Sequence, residues 1–319
     1  WVPALRILAY VYSGCIDDYP SQLDSSGRAP FSTKARQKTL GGIHVKKYLG
    51  IALLVGLLLV TVGCSTSSKE ASGDDTQERK VIKVASHMPP MTDVVKIAAE
   101  VIKDDGYEIE LVQVNDNIQY NELLNAREVD ANFAQHEPFM QKYNQEKGAD
   151  LVLVQKIYNA KVGFYSKEYE SVQQIPEGVK VALPSDVSNE GRALAILDEQ
   201  GLIKLKEGVG FNGTIKDIEE NPKAFEWLSV DLLNLAEAYN EKDVALVYNY
   251  PTYIAKVGLT PEDALILEQT VDDRFAISLV ARQDNASSQE IAALKEAMTS
   301  DEVRAFLEEE HSGTLTPAF

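Results

Sequence analysis

Cysteine is nearly absent from this chain. Its two residues, Cys15 and Cys64, exclude a disulfide scaffold and a cysteine-rich zinc centre. Histidine is scarce too: His44, His87, His136 and His311 show no metal-ligand spacing, so neither a metal nor another cofactor is expected. Basic charge is in deficit, with 31 Lys and Arg against 49 Asp and Glu and a net charge of −18. Nucleic acid, whose phosphates call for a basic footprint, is not an expected partner. Electrostatic docking on anionic lipid is disfavoured for the same reason. Walker, nucleophile-elbow and EF-hand signatures are missing. His136-Glu137 begins like a zincin motif, but Met140 stands where the second histidine belongs and Pro138 interrupts it. No nucleophile–base pair appears, so an enzyme is not expected.

What remains is substantial. The chain has 319 residues, 45% of them apolar and 25% charged, enough for two domains with real cores. Only one long uncharged run occurs, 48–64, preceded by Lys46-Lys47 and closed by Val62-Gly63-Cys64. It sits at the short limit of a membrane span and fits a secretory segment better. It resembles a bacterial lipoprotein signal at 45–63, cleaved before Cys64, which is then acylated. The stretch 65–80 holds one alanine and no larger apolar residue. With Cys64 it is expected to form a lipidated, flexible tether, 64–80. A signal normally opens a chain, so 1–44 is expected to be a gene-start artefact, with Val45 as the natural start. Losing 1–63 removes seven basic but only three acidic residues, so the mature chain is more acidic still.

From Val81 strands and helices alternate. Strands are expected at 81–86, 107–113, 129–133, 151–154, 162–165, 179–183, 225–230, 244–248 and 275–281. Helices are expected at 93–103, 118–127, 138–147, 189–200, 232–239, 287–298 and 301–310. This order implies mixed or mostly parallel sheets flanked by helices, an α/β architecture large enough for two lobes. Gly208-Val-Gly-Phe-Asn-Gly213 matches G-x-G-x-x-G but follows no strand, so it reads as a flexible surface loop. Four segments place polar and aromatic side chains where strands end, the usual ligand position in open sheets: 130–139, 163–166, 184–194 and 247–253. In the third, Arg192 lies in the first turn of a helix that Ser185, Asp186 or Ser188 can cap. A cation beside free helix N–H groups makes a carboxylate site.

Several motifs in order resemble the NlpA family, the methionine-binding lipoproteins of bacterial ABC importers. They are Val129-Asp-Ala-Asn-Phe with Gln135-His136, Gly163-x-Tyr165-Ser166-Lys, Ser188-Asn-Glu-Gly-Arg-Ala-Leu194-Ala, and Gly201-Leu-Ile-Lys-Leu-Lys206. Lys216-Asp-Ile-x-x-Asn-Pro-Lys223, Asn249 with Tyr253, and Gly258-Leu-Thr-Pro-x-Asp263 extend the resemblance over 81–319. It implies a type II periplasmic-binding-protein fold, with 81–166 and 254–319 in lobe 1, 167–253 in lobe 2, and a ligand cleft between them. Arg192 would take a ligand α-carboxylate and Asn249 the α-amino group. His136 and Phe133 would wall the side-chain pocket, with Tyr165 and Asn189 lining the cleft. Two positions depart from the family pattern. Ala134 replaces an aromatic before Gln135, and Asp116-Asn117 replaces Asp-Tyr, with Tyr120 nearby. Space at Ala134 leads us to expect methionine first, with related apolar amino acids or a short methionine peptide competing. The implied partners are an amino-acid ligand, an ABC permease with its ATPase, and the lipid bilayer through Cys64 on the extracytoplasmic face. A surface adhesin or immunogenic lipoprotein with a vestigial or different ligand site is the alternative.

Overall fold

A computed structural model describes residues 79–319. The expected signal, Cys64 and the tether lie outside the described residues, apart from the last two tether positions. Among the described residues thirteen strands and seven α-helices follow one another. β1 (Lys80–Ser86), β2 (Tyr107–Gln113), β3 (Ala131–His136) and β4 (Leu151–Ala160) open the first sheet. α1 (Met91–Val101), α2 (Gln119–Asn125) and α3 (Glu137–Lys147) connect them. The second unit holds β5 (Gly163–Tyr165), β6 (Lys180–Pro184), α4 (Val187–Glu199), β7 (Lys204–Leu205), β8 (Ile218–Glu220), β9 (Glu226–Val230), β10 (Val244–Asn249), α5 (Pro251–Ile254) and β11 (Ala264–Leu267). β12 (Ile277–Arg282), α6 (Gln289–Met298), α7 (Asp301–Glu309) and β13 (Leu315–Pro317) return to the first sheet.

The six-stranded sheet runs β13-β4-β12-β3-β1-β2 and the five-stranded one β11-β5-β10-β6-β9; β7 and β8 form a separate ribbon. Both sheets are mixed. β1 pairs parallel with β2 and β3, and β6 parallel with β9 and β10, as strand–helix–strand crossovers require. Strands that arrive after a change of sheet, such as β12 and β5, pair antiparallel.

The chain therefore crosses between lobes twice, once between β4 and β5 and once between β11 and β12. This moves the expected lobe boundaries. β5 and β11 are hydrogen-bonded antiparallel in the second sheet, so residues 163–165 and 254–267 go with lobe 2 rather than lobe 1. The two crossovers touch: the Glu268 N–H donates to the Val162 carbonyl at 2.9 Å.

Local sequence explains the elements that carry the site. β3 is buried along its whole length despite Asn132, Gln135 and His136. His136 then caps α3, its ring nitrogen accepting the Phe139 N–H, with Pro138 in the first turn. α3 ends at Gly148, whose φ of 64° suits a residue without Cβ. Asp186 caps α4 by accepting the Asn189 N–H at 2.9 Å. Gly191 in α4 is required by a close approach, since a Cβ there would collide with the Phe211 carbonyl. The 208–213 segment is thus not a free loop. It packs on α4, and the Phe211 ring meets Phe275 edge-on at 5.1 Å between centroids. The main core runs through both lobes, from Ile82, Val84 and Val94 to Val181, Leu194 and Leu246. A second cluster around Leu124, Val129 and Val280 fills the other face of the first sheet.

Candidate functional site

A small cavity of about 20 Å³ lies where the two lobes meet. Lobe 1 contributes Asn117, Tyr120, Ala134, Gln135, His136, Phe139 and Ile277; lobe 2 contributes Asn189, Leu232, Tyr250 and Tyr253. That is room for about one water and well below the ~300–1,000 Å³ of small-molecule sites, so the lobes stand closed here and must part to admit an amino acid. A wall of aromatic rings with a few amides suits a small ligand with an apolar body and polar ends.

The polar wall is one connected network. His136 Nδ1 accepts the Phe139 N–H at 3.3 Å, so Nε2 carries the proton and donates to Asn189 Oδ1 at 3.3 Å across the lobes. Tyr250 Oη donates to the same oxygen at 3.2 Å. Asn189 Nδ2 in turn donates to both Asp186 oxygens at 3.1 Å. Burial pushes the His136 imidazolium down to about 4, with Arg192 adding to the shift and Asp186 opposing it. His136 is therefore neutral near pH 7. Behind the lobe 1 wall, Gln135 is locked by Asn121 and Asn132 in a buried amide triad. His87 Nε2 meets Tyr253 Oη at 2.8 Å, a second polar contact between lobes, while its Nδ1 is buried without a partner among the described residues. Burial also pushes His87 down to about 4.

Arg192 stands behind this wall and is fully buried. Nε and Nη2 hold the Glu268 carboxylate at 3.2 and 2.5 Å, and Nη2 also donates to the Ala160 carbonyl at 2.9 Å. Nη1 donates to Tyr250 Oη at 3.3 Å, and the Phe275 ring lies 4.6 Å from the guanidinium carbon. Burial opposes the charge of Arg192, but Tyr248, Tyr250 and Glu268 outweigh it and hold its pKa above the ordinary value.

Of the residues expected at the site, Tyr120, His136 and Asn189 line the cavity, and Arg192 reaches it through Tyr250. Asn249 is buried; its Oδ1 accepts the Tyr250 N–H at 2.9 Å, and its Nδ2 has no partner among the described residues. It can therefore donate through Nδ2, and Oδ1 keeps a second lone pair with which to accept. Three expected residues, Asn249, Phe133 and Tyr165, do not line the cavity. Phe133 packs edge-on against Tyr158 at 5.8 Å, because neighbours on a strand alternate faces and Ala134 takes the cavity side. Tyr165 packs with Ala236 and Ile254 away from it. Glu268 and Phe275 were not singled out from the sequence. Glu268 closes the apolar run Ala264-Leu-Ile-Leu267, and a carboxylate ending a buried strand was the signal available.

A family model for NlpA lipoprotein matches residues 82–319. The chain belongs to the NlpA lipoprotein family. Among relatives, the D-methionine-binding lipoprotein MetQ of Escherichia coli O157:H7 is 33% identical over 259 residues, spanning 81% of this chain and 92% of that protein. A crystal structure of a YaeC-family lipoprotein from Enterococcus faecalis V583 is 49% identical, with a TM-score of 0.68, covering 75% of this chain and 100% of the other. A nutrient binding protein from Burkholderia cenocepacia, bound to methionine, is 31% identical with a TM-score of 0.69, covering 75% and 100%. The two-lobed fold is that of substrate-binding proteins, and the family is one of binding lipoproteins rather than enzymes.

Proposed function

We propose that this protein captures L-methionine or a closely related amino acid and delivers it to an ABC permease with its ATPase. It acts as a binding protein, not as an enzyme. The observation that carries the reading is the small aromatic cavity between lobes, backed by a buried guanidinium with one N–H unspent. In this reading the α-carboxylate lies against Arg192 Nη1 and Tyr250 Oη. Asn249 keeps the α-amino role that the resemblance gives it, since Oδ1 has a lone pair beyond the one that accepts the Tyr250 N–H. Tyr120, Ala134, His136 and Phe139 enclose the side chain. The net charge of −18 and the neutral His136 disfavour anionic ligands without an ammonium group.

Native mass spectrometry of the purified protein tests this. A co-purifying amino-acid mass, exchangeable with added L-methionine, supports it. Repeated emptiness after refolding, with no uptake of L-methionine, favours an adhesin role instead.

The same reading anchors the protein on the extracytoplasmic face of the membrane through acylated Cys64. Among the described residues no helix is long and apolar enough to cross a membrane. Stable anchoring needs more than one acyl chain, as a lipidated cysteine provides. Cys64→Ala should release the protein into the soluble fraction; a variant that still pellets with membranes contradicts the anchor.

A further inference from the structure

We propose that Glu268 is the positioning residue of the ligand site, holding Arg192 so that a single guanidinium N–H, on Nη1, is left for a ligand. The inference rests on the reading of the cleft as an amino-acid site for its ligand arm only. A guanidinium has five N–H donors in a fixed plane. Here Nε spends its one on Glu268 Oε1, and Nη2 spends both, on Glu268 Oε2 and the Ala160 carbonyl. Nη1 gives one to Tyr250 Oη and keeps the other. The two-pronged edge that would ordinarily grip a ligand carboxylate is therefore already occupied by a residue of the protein. What Arg192 keeps is one N–H beside the Tyr250 phenol, just behind the cavity wall.

The location of Glu268 gives this clamp a second consequence. Glu268 lies on the crossover from β11 to β12, and Ala160 ends β4 at the other crossover. Arg192 comes from α4 in lobe 2. One planar group thus ties α4 to both segments that join the lobes, and the Glu268 N–H on Val162 ties those segments to each other. Phe275, from the same crossover as Glu268, covers the guanidinium face and touches His136 edge-on at 5.2 Å. A carboxylate docked on Nη1 would bear on a group braced against the hinge. A lysine at 192 could not satisfy Glu268, Ala160 and Tyr250 together, because it lacks the planar fork.

Side-chain NMR of the protein labelled with 15N-arginine tests the clamp. In the ligand-free wild type, Arg192 should give resolved, slowly exchanging Nε and Nη signals, since its rotation is blocked. Glu268→Gln opposes a donor to Nη2; it should collapse these signals and weaken L-methionine binding roughly tenfold or more, the worth of one charge-assisted hydrogen bond. Glu268→Asp, one methylene shorter, serves if the glutamine variant does not fold, and should give the same collapse. In the wild type, added L-methionine should move the Nη1 protons and leave Nε in place. Persistence of the resolved signals in both variants overturns the proposal. So does a methionine-induced shift of Nε, which would mean that the ligand displaces Glu268. If calorimetry finds no methionine binding, the functional reading fails, and the ligand-free comparison still decides the clamp.

Discussion

Arg192 and Glu268 pair where water is excluded, and the energetics of such pairs are lopsided. Removing one partner strands the other charge in the interior, at a cost of ~3–5 kcal/mol, whereas replacing both with apolar groups can be neutral. Arg192→Ala should therefore lower stability by about that amount, and thermal unfolding should show it. Arg192→Met combined with Glu268→Leu should recover most of the lost melting temperature and leave methionine binding abolished. Recovery of binding in the double variant would show that Arg192 has no ligand role. His87 makes a separate residue-level prediction. Its folded pKa, lowered to about 4 by burial, lies below its unfolded value near 6.5. The unfolded state then binds the extra proton, so stability falls as pH drops from about 6.5 toward 4 and levels off below. The contribution is on the order of 3 kcal/mol for this one group. Melting temperatures from pH 7 to 4.5 should fall less steeply for His87→Gln than for wild type; equal slopes contradict the assignment.

At the scale of elements, α4 and the 208–213 turn form one unit. Gly191 lets the turn sit on the helix, and the turn carries Phe211 to Phe275. Glycine to alanine inside a helix ordinarily stabilises by up to ~1 kcal/mol. Here Gly191→Ala should instead destabilise by roughly 1–3 kcal/mol, the cost of forcing atoms into a packed contact. A thermal melt decides the sign. The same scale shows what was legible in the sequence. β2 matched its expected span, and α1, α3, α6 and α7 differed from theirs only near their ends; Pro138 and Gly148 bound α3, and Ser288 and Ser300 cap α6 and α7. The 232–239 helix proved to be a short 3-10 segment, Leu235–Asn240, which has too few residues for a stable apolar stripe. β11 and β13 were not anticipated at all. They are four and three residues long, too short to show a period of two, and they exist because a neighbouring strand offers an edge. That omission misplaced the lobe boundaries. It also hid Glu268, which comes next to Arg192 only by folding across 76 residues. Tyr120, His136 and Asn189 lie at the cavity, where motif and strand-end position point together; Phe133 faces Tyr158 instead, because strand alternation, not motif membership, decides which face a side chain takes.

For the whole molecule, two lobes joined by two short crossovers imply hinge motion. The polar contacts that span the cavity, His136 with Asn189 and His87 with Tyr253, are few, and none is an ion pair. A ligand bound by both lobes should add to these contacts and hold the lobes closed. Small-angle scattering should show a smaller radius of gyration at saturating L-methionine than without it; an unchanged value at proven saturation contradicts ligand-driven closure. If the protein captures an amino acid, its cavity takes the ligand through the carboxylate end. Calorimetric titration with L-methionine, norleucine, leucine, glycyl-methionine, glutamine and 3-(methylthio)propylamine, which lacks the carboxylate, measures this directly. We predict that L-methionine binds most tightly, that norleucine and leucine follow within the ~10–200-fold that one methylene can discriminate, and that the decarboxylated amine is at least ~100-fold weaker, as loss of a buried charged contact requires. Equal affinity for methionine and the amine, or no heat from any of the six, would contradict it.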